Sequence, residues 1–238
     1  MASKIACLMG IPCATVDIGV YNNKVGSMSY MMLDTNSEIL THGIEYIANK
    51  YPFYSSEQFK DIVTQKNYSI QIILECIEHL NLKKDFLSIP IFDCLIGNSD
   101  RHHNNWGTIT NIATSRVKIA PLYDNGSALG CYVRQQDVEG YFKDDLRFNA
   151  LIYSKSRSRI GWKDIKKPRH FELLGYIYQE FYSDTIEIVA SIKTNLGDEV
   201  IDNLIQEYDE SIMKSNVKQL ISRFLKTRRK SILDQYRE

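Results

Sequence analysis

Gly97-Asn98-Ser99-Asp100-Arg101-His102-His103-Asn104-Asn105 is the stretch on which the reading of this chain turns. It sets eight polar residues after one glycine, directly behind a segment whose Phe86, Leu87, Ile89, Ile91, Phe92, Cys94 and Leu95 are apolar nearly all round. A helix of that character is buried, so the polar loop is delivered from the core. Asp100 and Asn105 stand five residues apart across the loop. Working outward, Trp106 to Ile112 and Val117 to Ala120 read as two short strands, with a turn at Thr114-Ser115-Arg116. A hairpin of that length returns the chain close to its start. It ends in Pro121-Leu122-Tyr123-Asp124-Asn125-Gly126-Ser127, a second polar turn, with Asp124 19 residues beyond Asn105.

Phosphoryl transfer makes demands that these residue types meet. One carboxylate must position the attacking hydroxyl and accept its proton. A second carboxylate and an amide oxygen must hold Mg²⁺ on the nucleotide phosphates. Mg²⁺ is a hard cation that takes oxygen ligands. The D-x-x-x-x-N interval is that of a kinase catalytic loop, with Asp100 as base and Asn105 as metal ligand. Asp124 would be the other ligand, with Gly126 allowing the turn. His102 could donate to a phosphate oxygen or brace Asp100, and Arg101 could hold a phosphate or a structural carboxylate. Such a spacing is common by chance when it stands alone. The buried helix before it and the Asp-x-Gly turn after it supply the context a short motif needs.

The remaining chain reads as α+β and mostly helical. Residues 2–9 look like the end of a helix that stops at Gly10. Residues 13–21 and 25–33 read as strands joined at Asn22-Asn23-Lys24, because Asn tolerates positive φ. Residues 38–50 form a mixed helical stretch, ended by Tyr51-Pro52. Helices follow from Ile70, and from Lys84 to Leu95 with Pro90 kinking the second or marking its first turn. Apolar spacing then predicts helices over 170–182, 183–194, 197–208 and 211–233, the last capped by Ser211.

Composition narrows the function classes. Hydrophobic residues make up 44% of the 238 and aromatics 11%, enough for a sizeable core. The formal net charge of zero argues against a nucleic-acid coat or a membrane-surface protein. The zero is uneven: residues 155–169 hold Lys155, Arg157, Arg159, Lys163, Lys166, Lys167 and Arg169 against Asp164 alone. A solvated loop packing on acidic helices is the expected reading. The competing one is a substrate- or phosphate-binding loop, with Ser154, Ser156 and Ser158 as phosphorylation sites. Five widely spaced cysteines predict buried free thiols rather than disulfides or zinc. His42, His79 and His170 lack metal-ligand spacing and are read as ordinary. Lys226, Arg228, Arg229 and Lys230 are expected on the polar side of a helix. No apolar run reaches membrane-spanning length, and a soluble, cytoplasmic protein is expected.

The strings Ile96 to Gly107 and Ala120 to Asp124 resemble the core of the HipA-like serine/threonine kinases, the toxin kinases of bacterial toxin–antitoxin systems. Asp-Arg-His-x-x-Asn is also similar to the phosphatidylinositol 3/4-kinases. Met9-Gly10-Ile11-Pro12 before a strand pair, and His170-Phe171-Glu172-Leu173-Leu174, fit the HipA-like group too. The resemblance implies a kinase-like C-lobe over 35–238, with catalytic loop 97–107 and metal-binding turn 121–127. Residues 1–34 would be a remnant of the N-lobe, with the hinge. It implies ATP and Mg²⁺, Asp100 as base, Asn105 and Asp124 on the metal, and His102 supporting the loop. Ser29, Tyr30 and Met31 would meet the adenine, with Met28 and Met31 sandwiching it, although a Met-rich strand is more often plain core. The group's Gly-rich phosphate loop and strand lysine, expected ahead of the first helix, have no counterpart in the sequence. The chain alone is therefore expected to be feeble or inactive as a kinase. It would be a shortened chain, one completed by a separate N-lobe-like polypeptide, or a non-catalytic pseudokinase-like interaction module. A protein substrate and an antitoxin are the implied partners, and direct contact with nucleic acid or membrane is not expected. A phosphatidylinositol-kinase relative is the third reading.

Overall fold

Turn chemistry sets the first elements. In the computed structural model, which describes residues 1–237, helix α1 spans Ala2–Leu8 and stops before Gly10, whose φ is +73°. Strands β1 (Val16–Tyr21) and β2 (Lys24–Ser29) pair antiparallel from Val16↔Ser29 to Tyr21↔Lys24. Asn22 and Asn23 both carry positive φ, as a two-residue hairpin turn requires. Both strands are shorter than the sequence predicts and β2 is exposed throughout.

The stretch 38–50 corrects a prediction. Its first part is strand β3 (Glu38–His42), and only Gly43–Lys50 is helix, α2. β3 exists because β6 (Gly107–Asn111) offers it a ladder, from Glu38↔Asn111 to His42↔Gly107. β7 (Val117–Ile119) pairs on the other side of β6, giving a three-stranded sheet ordered β3-β6-β7. Gly107 permits the close pairing, since a Cβ there would sit 2.4 Å from the Thr41 carbonyl oxygen. A two-residue pair, β4 (Tyr54–Ser55) with β5 (Lys60–Asp61), lies between.

The core is helical. α3 (Ile70–Ile77) is capped by Ser69, whose side chain accepts from the Ile72 N–H. α4 (Lys83–Ile96) is buried almost entirely from Phe86 onward and holds Pro90 in mid-helix, not in its first turn. α5 (Val138–Lys143) and α6 (Asp145–Ala150) follow, and a π-helical turn over Leu151–Lys155 leads out of α6. α7 (His170–Asn195) carries a break at Phe181, close to where two helices were expected. α8 (Asp198–Gln206) and α9 (Ser215–Gln235) complete the chain. α4 packs against α7 and α9. Ser211 does not cap α9, which starts four residues later at Ser215; the Ser211 N–H bonds the Asp209 carboxylate in the preceding turn. Only Cys76 and Cys94 are buried, against expectation; Cys7 and Cys131 are exposed, and all five cysteines are free.

Candidate active site

The loop leaves α4 through Gly97, which has φ +69° and lies under α9: a Cβ there would meet the Phe224 ring at 2.7 Å. Arg101 then folds back into the core. Its guanidinium grips Asp93 of α4 twice, Nε to Oδ2 at 3.0 Å and Nη2 to Oδ1 at 2.8 Å. The two side chains are 1% and 3% exposed, so this is the structural carboxylate of the two partners considered for Arg101. Burial alone would lower the Arg101 pKa, but the Asp93 carboxylate more than offsets it and the net shift is upward.

The same guanidinium joins loop to turn. Nη1 donates to the carbonyls of Asn105 and Tyr123, each at 2.8 Å, so the two lie within two hydrogen-bond lengths of each other. Nη2 also donates to Asn125 Oδ1 at 2.6 Å. Tyr123 adds a second tie, its hydroxyl donating to the Asn104 carbonyl, and the Ser99 N–H donates to Ser127. Asp124, next to Tyr123, is thereby held beside Asn105, as the hairpin spacing predicts. Positive φ in this turn falls on Asp124 itself (+50°) and not on Gly126, a correction to the expected division of labour. Asp tolerates that region at modest cost, and such strain is concentrated at functional sites.

Asn105 is buried and its Nδ2 donates to the Asp100 carbonyl at 2.9 Å. That bond fixes the amide so that Oδ1 is the free end. The Asp124 carboxylate is exposed and bonds no described residue. An amide oxygen and a carboxylate, both uncommitted and carried on backbone that Arg101 ties together, are the ligand types a hard cation takes. Asp100 keeps its carboxylate at the surface, where Arg159 Nη2 stands 3.3 Å from Oδ1. The His102 ring accepts from the Asn104 N–H at 3.2 Å, so it braces the loop through backbone, not through the Asp100 carboxylate.

Four side chains outside the set predicted for the site complete the support. His170, read as ordinary, donates from Nε2 to the Asn98 carbonyl at 2.8 Å, the only arrangement open to a carbonyl partner. Its Nδ1 faces Ser156 Oγ at 3.0 Å, and that hydroxyl also reaches the Gly97 carbonyl at 2.9 Å. Ser156 and Ser158 are buried, which removes them as accessible phosphorylation sites. His103 packs edge-on against Tyr54 and Tyr68 and over Phe59. Arg159 comes from the basic segment and lies over Phe59, its guanidinium carbon 4.6 Å from the ring centre.

Both buried imidazoles stay neutral. Burial, then Arg228, pushes His170 down to about 3; burial, then His102 and Arg159, pushes His103 down to about 4. The unfolded chain takes up protons near 6.5 at both, so stability is full above that pH and falls as pH drops toward 4. The slope is about 1.4 kcal/mol per pH unit for each histidine. Urea midpoints at about pH 7 and about pH 5 check this, and His170→Gln is expected to shrink the difference.

The hinge candidates sit near the turn. The Tyr30 N–H donates to the Thr15 carbonyl, and the Ala14 N–H donates to Leu122. Met28 and Met31 are 49% and 77% exposed, so these methionines are not core. A cleft of about 650 Å³ is lined by Met9, Pro12, Pro121 and Leu122 with residues of α4 and α7, and contains neither Asp100 nor Asp124. Among the described residues, no helix is long and apolar enough to cross a membrane.

Fold and site together define a protein with the fold of the HipA-like kinases. No family model matches the chain. The serine/threonine-protein kinase CtkA of Helicobacter pylori strain J99 is 24% identical over 246 residues, covering 98% of this chain and 70% of that protein. The crystal structure of the H. pylori proinflammatory kinase CtkA superposes with a TM-score of 0.83 at 21% identity, covering 99% of this chain and 79% of that one. The HipA chain of the Shewanella oneidensis MR-1 toxin–antitoxin complex with HipB and operator DNA matches with a TM-score of 0.51 at 12% identity, over 99% of this chain and 53% of its own. The resemblance stated from the loop and turn motifs, and the mostly helical α+β class, are borne out.

Proposed function

We propose that the site transfers the γ-phosphoryl group of Mg-ATP to a serine or threonine hydroxyl of a protein. The observation that carries this reading is the Arg101 tie between the Asn105 and Tyr123 carbonyls, which brings Asn105, bonded to the Asp100 carbonyl, beside the turn that carries Asp124, with Asn105 Oδ1 and the Asp124 carboxylate both free of protein partners among the described residues. Asp100 orients the acceptor hydroxyl and takes its proton. Asn105 and Asp124 hold the cation, which when bound neutralises charge on the phosphates. Arg101, locked on Asp93, fixes the distance between loop and turn. His102 keeps the loop backbone in register. Residues 1–34 serve as N-lobe segment and hinge, and 35–238 as C-lobe. The Tyr30 N–H is occupied by Thr15, so the Met31 N–H is the hinge donor left for an adenine, with Ser29 and Tyr30 supplying carbonyls.

ATP binding with Mg²⁺ and with EDTA, measured by calorimetry, tests the reading. Binding is expected to be tighter with Mg²⁺, and Asp124→Ala or Asn105→Ala to cost that gain at least about tenfold. Equal affinity with and without Mg²⁺ in the unaltered chain would sink it. The competing reading, a non-catalytic interaction module, is favoured by one observation. Hairpin β1–β2 is exposed, and Val20, Tyr21 and Val25, with Met31 just beyond it, give an apolar surface for a partner chain such as an antitoxin or an N-lobe-like polypeptide. Mg²⁺-dependent binding without transfer would select that reading.

A further inference from the structure

The basic segment is not a loose solvated loop. Its two arms meet through the Arg157↔Arg169 bridge and the Ser158 N–H bond to Pro168. Arg157 donates to the Lys167 carbonyl at 3.0 Å, and Trp162 and Ile165 bond each other's backbone. Gly161 is pinned between two backbone segments, since a Cβ there would lie 2.6 Å from the Ile165 oxygen and 2.9 Å from the Tyr68 oxygen. Ser156, Ser158, Ile160 and Trp162 point inward, and Trp162 stacks on Tyr176. The result is a fixed hairpin with its cations outside.

Two of those cations are paired: Lys163 with Glu180, and Arg159 with Asp100. Lys155, Arg157, Lys166, Lys167 and Arg169 are exposed and have no acidic partner among the described residues. Asp164, the segment's own acid, makes no ion pair among the described residues, and the carboxylate of Glu172 accepts from the Arg169 backbone N–H and the Tyr176 hydroxyl. Arg159 connects this charge to the chemistry. Its Nη2 touches Asp100 while its Nε is buried without a partner, so Asp100 alone leaves the guanidinium incompletely satisfied. Arg157 lies two residues away, about 7 Å along extended chain.

We propose that this rigid cationic hairpin receives an acidic acceptor segment, a serine or threonine with Asp or Glu within about four residues of it. The proposal rests on the kinase reading. With the acceptor hydroxyl at Asp100, an extended peptide runs past Arg159 and Arg157 and places neighbouring carboxylates there. A carboxylate at Arg159 competes with Asp100 for the guanidinium and leaves Asp100 free to accept the hydroxyl proton.

The test measures binding apart from transfer. Fluorescein-labelled peptides with one serine flanked by glutamates, or by glutamines, are titrated with the full 238-residue chain by anisotropy at low and high salt. The acidic peptide is expected to bind at least about tenfold tighter at low salt, and the preference to shrink at high salt. The variant R157A/K166A/K167A is expected to lose most of the preference, and K166A/K167A, which keeps the Arg157 bond to the residue-167 carbonyl, is expected to lose part of it while melting as the unaltered chain does. Asp100→Asn is expected to tighten acidic-peptide binding by releasing Arg159, which a patch unconnected to the site would not do. Equal affinity for the two peptides overturns the proposal. So does binding of a labelled single-stranded oligonucleotide, abolished by the same variant, with no binding of the acidic peptide. Radiolabel transfer from ATP is assayed separately. An acidic preference in binding without transfer sinks the kinase reading and leaves the ligand class standing; transfer without acidic preference does the reverse.

Discussion

Asp100→Ala is expected to lower γ-phosphoryl transfer by about 10²- to 10⁴-fold, the range for removal of a positioned general base, while Mg-ATP affinity changes by less than about threefold. That loss corresponds to about 3–5 kcal/mol of transition-state stabilisation. The two effects separate because different side chains carry them. The cation is assigned to Asn105 and Asp124, and Asp100 supports Asn105 only through its backbone carbonyl, which the substitution leaves in place. The carboxylate itself faces solvent and Arg159 and holds up no core element. The variant is therefore expected to fold, and a melting temperature close to that of the unaltered chain is the control. Initial rates of ³²P incorporation, with ATP affinity measured in parallel, decide the matter. Unchanged transfer in Asp100→Ala removes the residue from the role of base. A parallel loss of ATP affinity would place it on the nucleotide instead.

Loop and turn were legible because they are local. Five residues from Asp100 to Asn105 and a hairpin to Asp124 are distances that a chain geometry argument covers. The Asn22-Asn23 turn was legible for the same reason, since two consecutive Asn residues encode positive φ. Glu38–His42 was not, because Glu-Ile-Leu-Thr-His has neither clear period and becomes a strand only when β6 arrives some 70 residues later. His170 and Arg159 were missed as site residues for a related reason. Their partners lie 72 and 59 residues away in sequence, and no spacing records such contacts. The Asn98 carbonyl needs a donor within the core, and that need appears only once the loop has folded against α7. The exposure of Met28 and Met31 also runs against composition, since a Met-rich strand in isolation reads as core.

Asp93→Ala is expected to destabilise the chain by about 3–5 kcal/mol, because it leaves the Arg101 guanidinium buried without a counter-charge. For a domain of this size that is a fall in melting temperature of about 10 °C. Arg101 cannot shed its proton to escape, and it cannot reach water without releasing Asn105, Tyr123 and Asn125. Asn98 would also lose its bond to Asp93 Oδ1, which steadies the residue that accepts the Asp100 N–H. The damage therefore reaches the site below the melting transition, and Mg²⁺-dependent ATP binding is expected to fail at temperatures where the helices persist. The double variant D93L/R101M separates charge from packing. It removes both ions, so its stability is expected to exceed that of Asp93→Ala although two residues have changed. Its Mg²⁺-dependent binding remains lost, because the Arg101 bonds to Asn105, Tyr123 and Asn125 are gone and, among the described side chains, the Tyr123 hydroxyl alone then ties loop to turn. Thermal melts of the three proteins test the charge argument, and Asp93→Ala melting within about 2 °C of the unaltered chain would refute it. Recovery of Mg²⁺-dependent binding in the double variant would refute the other half, that Arg101 sets the distance between Asn105 and Asp124.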